Sequence, residues 1–292
     1  MKLLDGYTMM HEHITIDLSG MKQDADACLN EREPTIAELK ELYRYGVRNI
    51  LDVTAMGMGR DSAYVQKIAE ETGIQILQST GFYKDPFLPE IVATSSVVEL
   101  AELFVREIEE GIDGGLIKAS CIGEIGTSNQ EMTANEEKVF VAAVIAAKKT
   151  NALISTHTTL GTFAKEQIQF FIKHGIEPDR VVIGHTALAN DLALIKDIIR
   201  LGFNVAFDTI GKKSYLPEEE RVRFLLELEK EAVLDHVVMS MDITRKSHLK
   251  KNSGIGYAYL FEVFIPLLKE AGFQEESLNQ ILIENPKRLL HR

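Results

Sequence analysis

Two histidines near the start of the chain, His11 and His13, have the spacing needed to bind one metal ion. In an extended strand successive side chains point to opposite faces, so residues two apart project the same way. Both imidazoles could then reach a single divalent ion. The alternative is a chance pair of polar side chains with no ligand. Which interpretation holds depends on whether the rest of the chain supplies further ligands at the same place.

Four more candidate ligands occur later in the chain, each directly after a short apolar run that predicts a strand. They are Glu124, His157, His185 and Asp242. Each has an ordinary structural explanation when taken alone, as a helix N-cap, a member of a buried ion pair or a polar residue lining a barrel. Brought together with the histidine pair and without metal, these groups would repel one another or lack partners. The set as a whole therefore predicts a metal site.

Six ligands exceed the three or four protein groups that one catalytic zinc usually takes, so we predict two divalent ions. The predicted assignment is that the first ion is bound by His11, His13 and Asp242, the second by His157 and His185, and both by Glu124. Two such ions lower the pKa of a shared water and polarise an electrophilic oxygen. Asp242 would take the proton as the bridging hydroxide forms and attacks. The predicted chemistry is metal-assisted hydrolysis.

The elements that must position these residues are eight short apolar segments that alternate with amphipathic helical patterns. The candidate strands cover 8–10, 49–53, 75–79, 116–122, 153–156, 181–184, 204–207 and 237–241. Strands that alternate with helices predict βαβ units and a parallel sheet. Eight units favour an α/β fold of the (β/α)8 TIM-barrel type over an open doubly wound sheet, which usually has fewer units and a glycine-rich phosphate turn. A barrel would bring the strand ends, and so all six ligands, to one mouth.

Composition narrows the class of protein and its partners. The 292 residues contain no linker-like segment, so we predict one metal-dependent hydrolase domain over 1–292. A net charge of −12 argues against nucleic acid or an anionic membrane surface as the main partner, which leaves a small-molecule substrate. The two cysteines, the absence of an apolar run long enough to span a bilayer and the polar N-terminus predict a cytoplasmic protein.

The local contexts of these residues resemble the phosphotriesterase family of the amidohydrolase superfamily over nearly the whole chain. The matching segments are His-Glu-His-Ile at 11–14, Gly-Glu-Ile-Gly-Thr at 123–127, Ser-Thr-His-Thr at 155–158, Ile-Gly-His-Thr at 183–186, Phe-Asp-Thr-Ile-Gly at 207–211 and Ser-Met-Asp-Ile-Thr-Arg at 240–245. The resemblance implies a (β/α)8 barrel with two metal ions, commonly zinc, and hydrolysis of phosphotriesters, lactones or related esters. It also implies a possible homodimer, for which the sequence offers no independent argument.

One position departs from the pattern of that family. Most members bridge their ions with a carboxylated lysine at the end of the fourth strand, and no lysine stands there in this chain. Lys118 lies six residues before Glu124, toward the opposite end of the predicted strand. Glu124 is therefore predicted to replace the lysine as the bridge, which would free the site from any need for carbon dioxide.

Substrate contacts are expected from three residues near the mouth: Lys212 after the seventh strand, Arg245 after Asp242, and Tyr83 after the third strand. Two cations at the mouth of an acidic protein favour a substrate that carries phosphate or carboxylate. The alternative is that both are solvated loop charges. Tyr83 could donate a hydrogen bond to a carbonyl oxygen, and Tyr257 is a second aromatic candidate.

Three functions follow in order of preference. The first is hydrolysis of a lactone or carboxylic ester, with an anionic, phosphorylated sugar lactone as the preferred substrate. The second is hydrolysis of phosphotriesters or phosphodiesters by the same site. The third, from a different class, is a non-catalytic, metal-stabilised binding protein, which the open six-ligand set argues against because a structural site would close its coordination.

Overall fold

The computed structural model describes residues 2–291, and its central element is a parallel sheet of eight strands. The strands are β1 Tyr7–Glu12, β2 Val47–Asp52, β3 Gln75–Thr80, β4 Cys121–Thr127, β5 Leu153–Thr158, β6 Val181–Ile183, β7 Asn204–Phe207 and β8 Val237–Met239. Each pairs in parallel with the next along the chain. The chain after β8 returns to β1, where the N–H of His11 donates to Ser240 Oγ at 2.8 Å. The sheet thus forms a nearly closed TIM-type barrel, and the predicted fold class is confirmed.

Helices follow the strands and form the outer layer. The longer ones are α1 Arg32–Arg44, α2 Ser62–Thr72, α3 Val97–Glu109, α4 Ala134–Thr150, α5 Ala164–Lys173, α6 Leu192–Arg200 and α7 Glu218–Lys230. Their starts are set by local chemistry: Ser96 and Thr133 form capping boxes, and Asp61 and Asp191 accept backbone N–H bonds as N-caps. Among residues 2–291 no helix has the length and apolarity to cross a bilayer.

Shorter elements complete the chain. A two-residue strand pair, Ile16–Asp17 with Cys28–Leu29, and the short helix Ser19–Lys22 form the loop after β1. Glu90–Thr94 is a short helix before α3. The final segment has α-helical stretches Ile265–Glu270, Glu275–Asn279 and Asn285–Leu290, with π-helical turns at Leu260–Phe264 and Gln280–Glu284.

The apolar faces of the helices pack on the barrel. Val139, Ala142, Ala143 and Ala146 of α4 are fully buried, as are Leu39 and Leu42 of α1, whereas Tyr43 is 39% exposed. Small alanines allow α4 to approach the strands closely. Each π-turn is followed by a proline at the second residue of the next α-helical stretch, at Pro266 and Pro286. A wider turn accommodates a residue that has no N–H to donate.

The fourth strand begins later than predicted. The apolar run from Leu116 suggested a strand over 116–122, but the strand starts at Cys121, and the Leu116 side chain is 94% exposed. Contact between β3 and β4 begins only at the pair Ser79 and Cys121, because the preceding residues form a glycine-containing turn. Lys118 therefore precedes the strand. It lines a cavity with Leu4 and Gln75, among residues that precede or begin the strands, away from the mouth.

Candidate metal centre

His11 of β1 and His13, the first residue after β1, meet Glu124 of β4 inside the barrel mouth. His13 Nε2 lies 3.3 Å from Glu124 Oε1, and His11 Nε2 lies 3.5 Å from Glu124 Oε2. All three side chains are buried. The backbone conformation of β1 sends the two imidazoles to the same side, as the alternation of strand side chains requires.

The second histidine pair also meets this carboxylate. His157 Nδ1 lies 3.2 Å and His185 Nε2 3.8 Å from Glu124 Oε2, and these two ring nitrogens are 2.8 Å apart. Glu124 therefore lies close to all four histidines, as a ligand shared by two ions would. Asp242 is on the side of the first pair, with Oδ1 3.4 Å from His13 Nε2 and 3.9 Å from His11 Nε2.

The donor atoms fit divalent metal ions. His11 Nδ1 and Nε2 and His13 Nε2 are buried without a hydrogen-bond partner, a costly state unless something else binds them. The ligand atoms of His11, His13 and Glu124 lie within 4.8 Å of one another, and so do those of Glu124, His157 and His185. Imidazole nitrogen and carboxylate oxygen are the donor types of catalytic zinc sites.

The carboxylates control the protonation of the histidines that face them. Burial works against the charged form of His13, but the facing carboxylates of Asp242 and Glu124 raise its pKa to about 10. Burial likewise opposes a charge on His185, and Asp208 raises its pKa to about 9. Burial instead lowers the pKa of His157 to about 4, so this ring is neutral at pH 7. In the metal-free protein the centre thus holds protons that metal ions must displace.

The two acidic ligands remain ionised at neutral pH. Burial alone would raise the pKa of Asp242, yet Lys212, whose ammonium contacts this carboxylate, and the surrounding histidines hold it well below its usual range. For Glu124 burial is again opposed, by the facing imidazoles of His11, His13 and His157, which lower its pKa well below its usual value. Both side chains are therefore available as anionic ligands.

Asp208 is a site residue that the sequence interpretation missed. It follows β7 and accepts hydrogen bonds from the backbone N–H of His185 at 3.0 Å and from His185 Nδ1 at 2.9 Å. This contact makes Nδ1 the protonated nitrogen and turns Nε2 toward Glu124, the arrangement by which carboxylates orient metal-binding histidines. Its position at a strand end was the available signal, although it could not tell a ligand from a residue that orients one.

The cavity above the centre has a volume of about 150 Å³ and is partly enclosed. Tyr83, Lys212 and Arg245 all line it, together with Lys22 of the short helix Ser19–Lys22, which sequence interpretation did not select. Tyr257 does not: its side chain is fully buried, and its hydroxyl donates to the carbonyl of His13 at 2.6 Å. Tyr257 therefore stabilises the backbone at the end of β1 and does not line the cavity.

The two cations predicted to bind substrate each have an acidic neighbour. Lys212 contacts Asp242, and Arg245 forms ion pairs with Asp24 at 2.6 Å and Asp26 at 3.3 Å. Within residues 2–291, no ion pair is formed by Lys22, and burial lowers its pKa. Three cationic side chains therefore reach the cavity, and one of them has no acidic partner of its own.

A parallel barrel whose mouth gathers histidines and carboxylates around one central carboxylate is the arrangement of a metal-dependent hydrolase. The chain matches the model of the Phosphotriesterase family over residues 3–290 and belongs to that family. Members of this family depend on a binuclear metal site, and the chain is accordingly a metal-dependent hydrolase of ester bonds.

Three relatives are similar over most of their length. The phosphotriesterase homology protein of Escherichia coli is 46% identical over 283 residues, which cover 97% of both chains. Its crystal structure, with phosphate in the active site, superposes with a TM-score of 0.96 over 98% of this chain and 99% of that one. An aryldialkylphosphatase of Saccharolobus solfataricus is 32% identical over 97% of this chain and 94% of its own. A phospho-furanose lactonase of Mycoplasmopsis synoviae is 30% identical over 98% and 87%, respectively.

Proposed function

We propose that this protein hydrolyses an anionic lactone or carboxylic ester, and that a phosphorylated sugar lactone is the preferred substrate class. The observation that carries the proposal is the cationic lining of the cavity by Lys22, Lys212 and Arg245, directly above the carboxylates of the centre. Cations in a partly enclosed cavity bind phosphate or carboxylate groups strongly. A neutral phosphotriester would have no use for them.

The six predicted ligands remain the proposed metal-binding set. His11, His13 and Asp242 would bind one ion, His157 and His185 the other, and Glu124 both. Divalent ions bound there would lower the pKa of a shared water and polarise the carbonyl of the substrate. Zinc is the proposed metal, in line with the histidine and carboxylate donors.

The remaining steps belong to the side chains of the protein. Asp242 is ionised at neutral pH and stands at the edge of the centre, where it can accept the proton of the nucleophile. Burial holds the pKa of Tyr83 well above its usual value, so its hydroxyl stays protonated and can donate to a substrate oxygen. That hydroxyl lies 3.2 Å from His157 Nδ1, close to the centre. Lys22 and Lys212 would bind the anionic group.

The similarity to relatives supports both candidate substrate classes, namely lactones or carboxylic esters and phosphotriesters or phosphodiesters. The phospho-furanose lactonase of Mycoplasmopsis synoviae favours a phosphorylated lactone, and the phosphate in the active site of the Escherichia coli protein shows an anion in a similar barrel. The aryldialkylphosphatase supports the second candidate, hydrolysis of a phosphotriester or phosphodiester. The finer predictions of a homodimer and a cytoplasmic location also remain proposals.

A substrate panel tests the proposal. Sugar lactones with and without a phosphate group, plain lactones, phosphotriesters and phosphodiesters are compared by kcat/KM with the metal-loaded enzyme. We expect the phosphorylated lactones to be the best substrates. A phosphotriester or phosphodiester rate above that of every lactone would overturn the proposal in favour of the second candidate. Failure to hydrolyse any ester would favour the binding protein.

The cationic lining is tested by Lys22→Met, which removes the charge and keeps the length of the side chain. We expect about a tenfold loss of kcat/KM for phosphorylated lactones, the effect of losing one charge-assisted hydrogen bond. Unphosphorylated lactones should be unaffected. Lys213→Met is the matched control, because Lys213 follows Lys212 but does not line this cavity. Equal losses on both lactone types would show that Lys22 does not bind the phosphate.

A further inference from the structure

Glu12 stands between His11 and His13 in sequence, but its side chain points away from them and into a different set of contacts. It is fully buried. Its Oε1 accepts the N–H of Met241 at 2.6 Å, and its Oε2 accepts the N–H of Ile243 at 3.2 Å. These two donors are the residues immediately before and after Asp242. A carboxylate of β1 therefore binds the backbone on both sides of the aspartate that follows β8.

The backbone held in this way is in an unfavourable conformation. Asp242 has a φ of +54°, in the left-handed region that residues with a Cβ seldom adopt. Such a conformation persists only where its surroundings hold it in place. Two hydrogen bonds to an ionisable acceptor, one on each side, are a direct means of doing so. The side chain of Asp242 is thereby aimed at His13.

We propose that Glu12 is a positioning residue that fixes Asp242 in the geometry needed for metal binding and proton transfer. The carboxylate couples β1, which supplies His11 and His13, to the end of β8, which supplies Asp242. One side chain thus sets the relative position of three proposed ligands. This inference rests on the proposed function, in which Asp242 is both ligand and proton acceptor.

Two acceptor oxygens are required at this position. Glutamine has nearly the shape of glutamate but offers one acceptor oxygen and one NH2 group. In Glu12→Gln that NH2 group would face the N–H of either Met241 or Ile243, and one of the two hydrogen bonds would be replaced by a clash between donors. Asp242 would then lose part of what holds its conformation.

A double-mutant cycle distinguishes positioning from general support of the fold. Glu12→Gln, Asp242→Asn and the double variant are compared by kcat, KM and metal retained against a chelator. We expect Glu12→Gln to lower kcat and metal affinity by about 10–100-fold, the usual effect of losing an outer partner of a ligand, with little change in KM. In the Asp242→Asn background the same substitution should cost less than about twofold. Additive losses, or a Glu12→Gln variant within about twofold of wild type, would overturn the proposal.

Controls separate this result from lost stability and from failure of the proposed function. Glu136→Gln is the matched variant: Glu136 is also buried and accepts backbone N–H bonds from Asp85 and Thr133, but at the start of α4. It should reduce thermal stability and leave kcat unchanged. If Glu12→Gln does not fold, Glu12→Asp is used, because the shorter side chain cannot reach both donors. If wild type hydrolyses no ester, metal retention still decides the role of Glu12.

Discussion

The two halves of the proposed metal centre are built differently. His11, His13 and Asp242 form the half whose two histidines are the more deeply buried, here called the deeper half, and their position depends on contacts between β1 and the end of β8. His157 and His185 form the other half; they line the cavity together with Asp242, and Asp208 orients His185. In each half a buried carboxylate outside the proposed ligand set accepts hydrogen bonds at a proposed ligand: Glu12 from the residues on either side of Asp242, and Asp208 from His185. Both act on a residue with positive φ, Asp242 at +54° and His185 at +56°.

The two halves also differ in whether their imidazole nitrogens have hydrogen-bond partners. In the deeper half three imidazole nitrogens are buried without partners, which is expected where metal ions would bind them. In the other half His157 Nδ1 and His185 Nε2 are hydrogen-bonded to one another. Metal binding would therefore have to separate the second pair, whereas the first pair has no such contact to break.

The largest effect is expected from substitution of Asp242, the proposed proton acceptor in the deeper half. Asp242→Asn removes the proton acceptor and one anionic ligand, so we expect kcat to fall by about 10²–10⁴-fold. Steady-state kinetics on the best ester substrate measure this loss. Asp235→Asn, which changes an exposed aspartate before β8, serves as the control and should retain full activity. Activity of Asp242→Asn close to wild type would show that the deeper half does not carry proton transfer.

A smaller effect is expected from substitution of Asp208, the carboxylate that is hydrogen-bonded to His185 in the second half. Asp208→Asn leaves the shape of the side chain but weakens its hold on His185, and we expect one of two metal ions to bind about 10–100-fold more weakly. Chelator competition followed by metal analysis measures the change. In the His185→Ala background the same substitution should have little further effect. If its effect there were undiminished, Asp208 would act on the centre by a route other than His185.

The smallest expected effect is a change of metal affinity with pH. It is caused by a protonated histidine in each half. In metal-free protein the pKa of His13 is about 10 and that of His185 about 9, so both are protonated at pH 7.5. Metal binding should release about two protons per chain, and affinity should rise with pH up to about 10. Calorimetric titrations in buffers of different ionisation enthalpy measure this release. Release of only one proton per chain would show that a single histidine, in one of the two halves, is protonated before metal binds.

The same pKa values determine how the metal-free fold responds to pH. A pKa that is higher in the folded state than the unfolded value of 6.5 stabilises the fold fully below that value. The contribution is lost as the pH rises through the folded pKa values, here between about 9 and 10. Apoprotein should therefore lose stability at alkaline pH more steeply than metal-loaded protein.

Two features could be predicted from the sequence: the barrel and the proximity of the six proposed ligands. Both could be predicted because they depend on local patterns. Apolar runs identify strands, and residues that end parallel strands meet at one mouth. The predicted start of β4 was wrong because the run from Leu116 has the composition of a strand, whereas the Leu116 side chain is exposed and closely follows a glycine-containing turn.

The residues that hold the ligands could not be found in the same way. Glu12 contacts Met241 and Ile243, which lie more than two hundred residues further along the chain, and no local pattern encodes such a pairing. Lys22 reaches the cavity only because of how the loop after β1 folds. Asp208 had a signal in its place after β7, but its role depends on the ring nitrogen it contacts.

The central claim is that Glu124 joins the two halves into one binuclear centre. The most direct test is metal content by mass spectrometry on native protein and on Glu124→Ala, each corrected for folded protein. We predict about two ions per chain in wild type and a marked loss in the variant, because both ions share this carboxylate. One ion or none in wild type, or two ions retained by folded Glu124→Ala, would contradict the bridged centre.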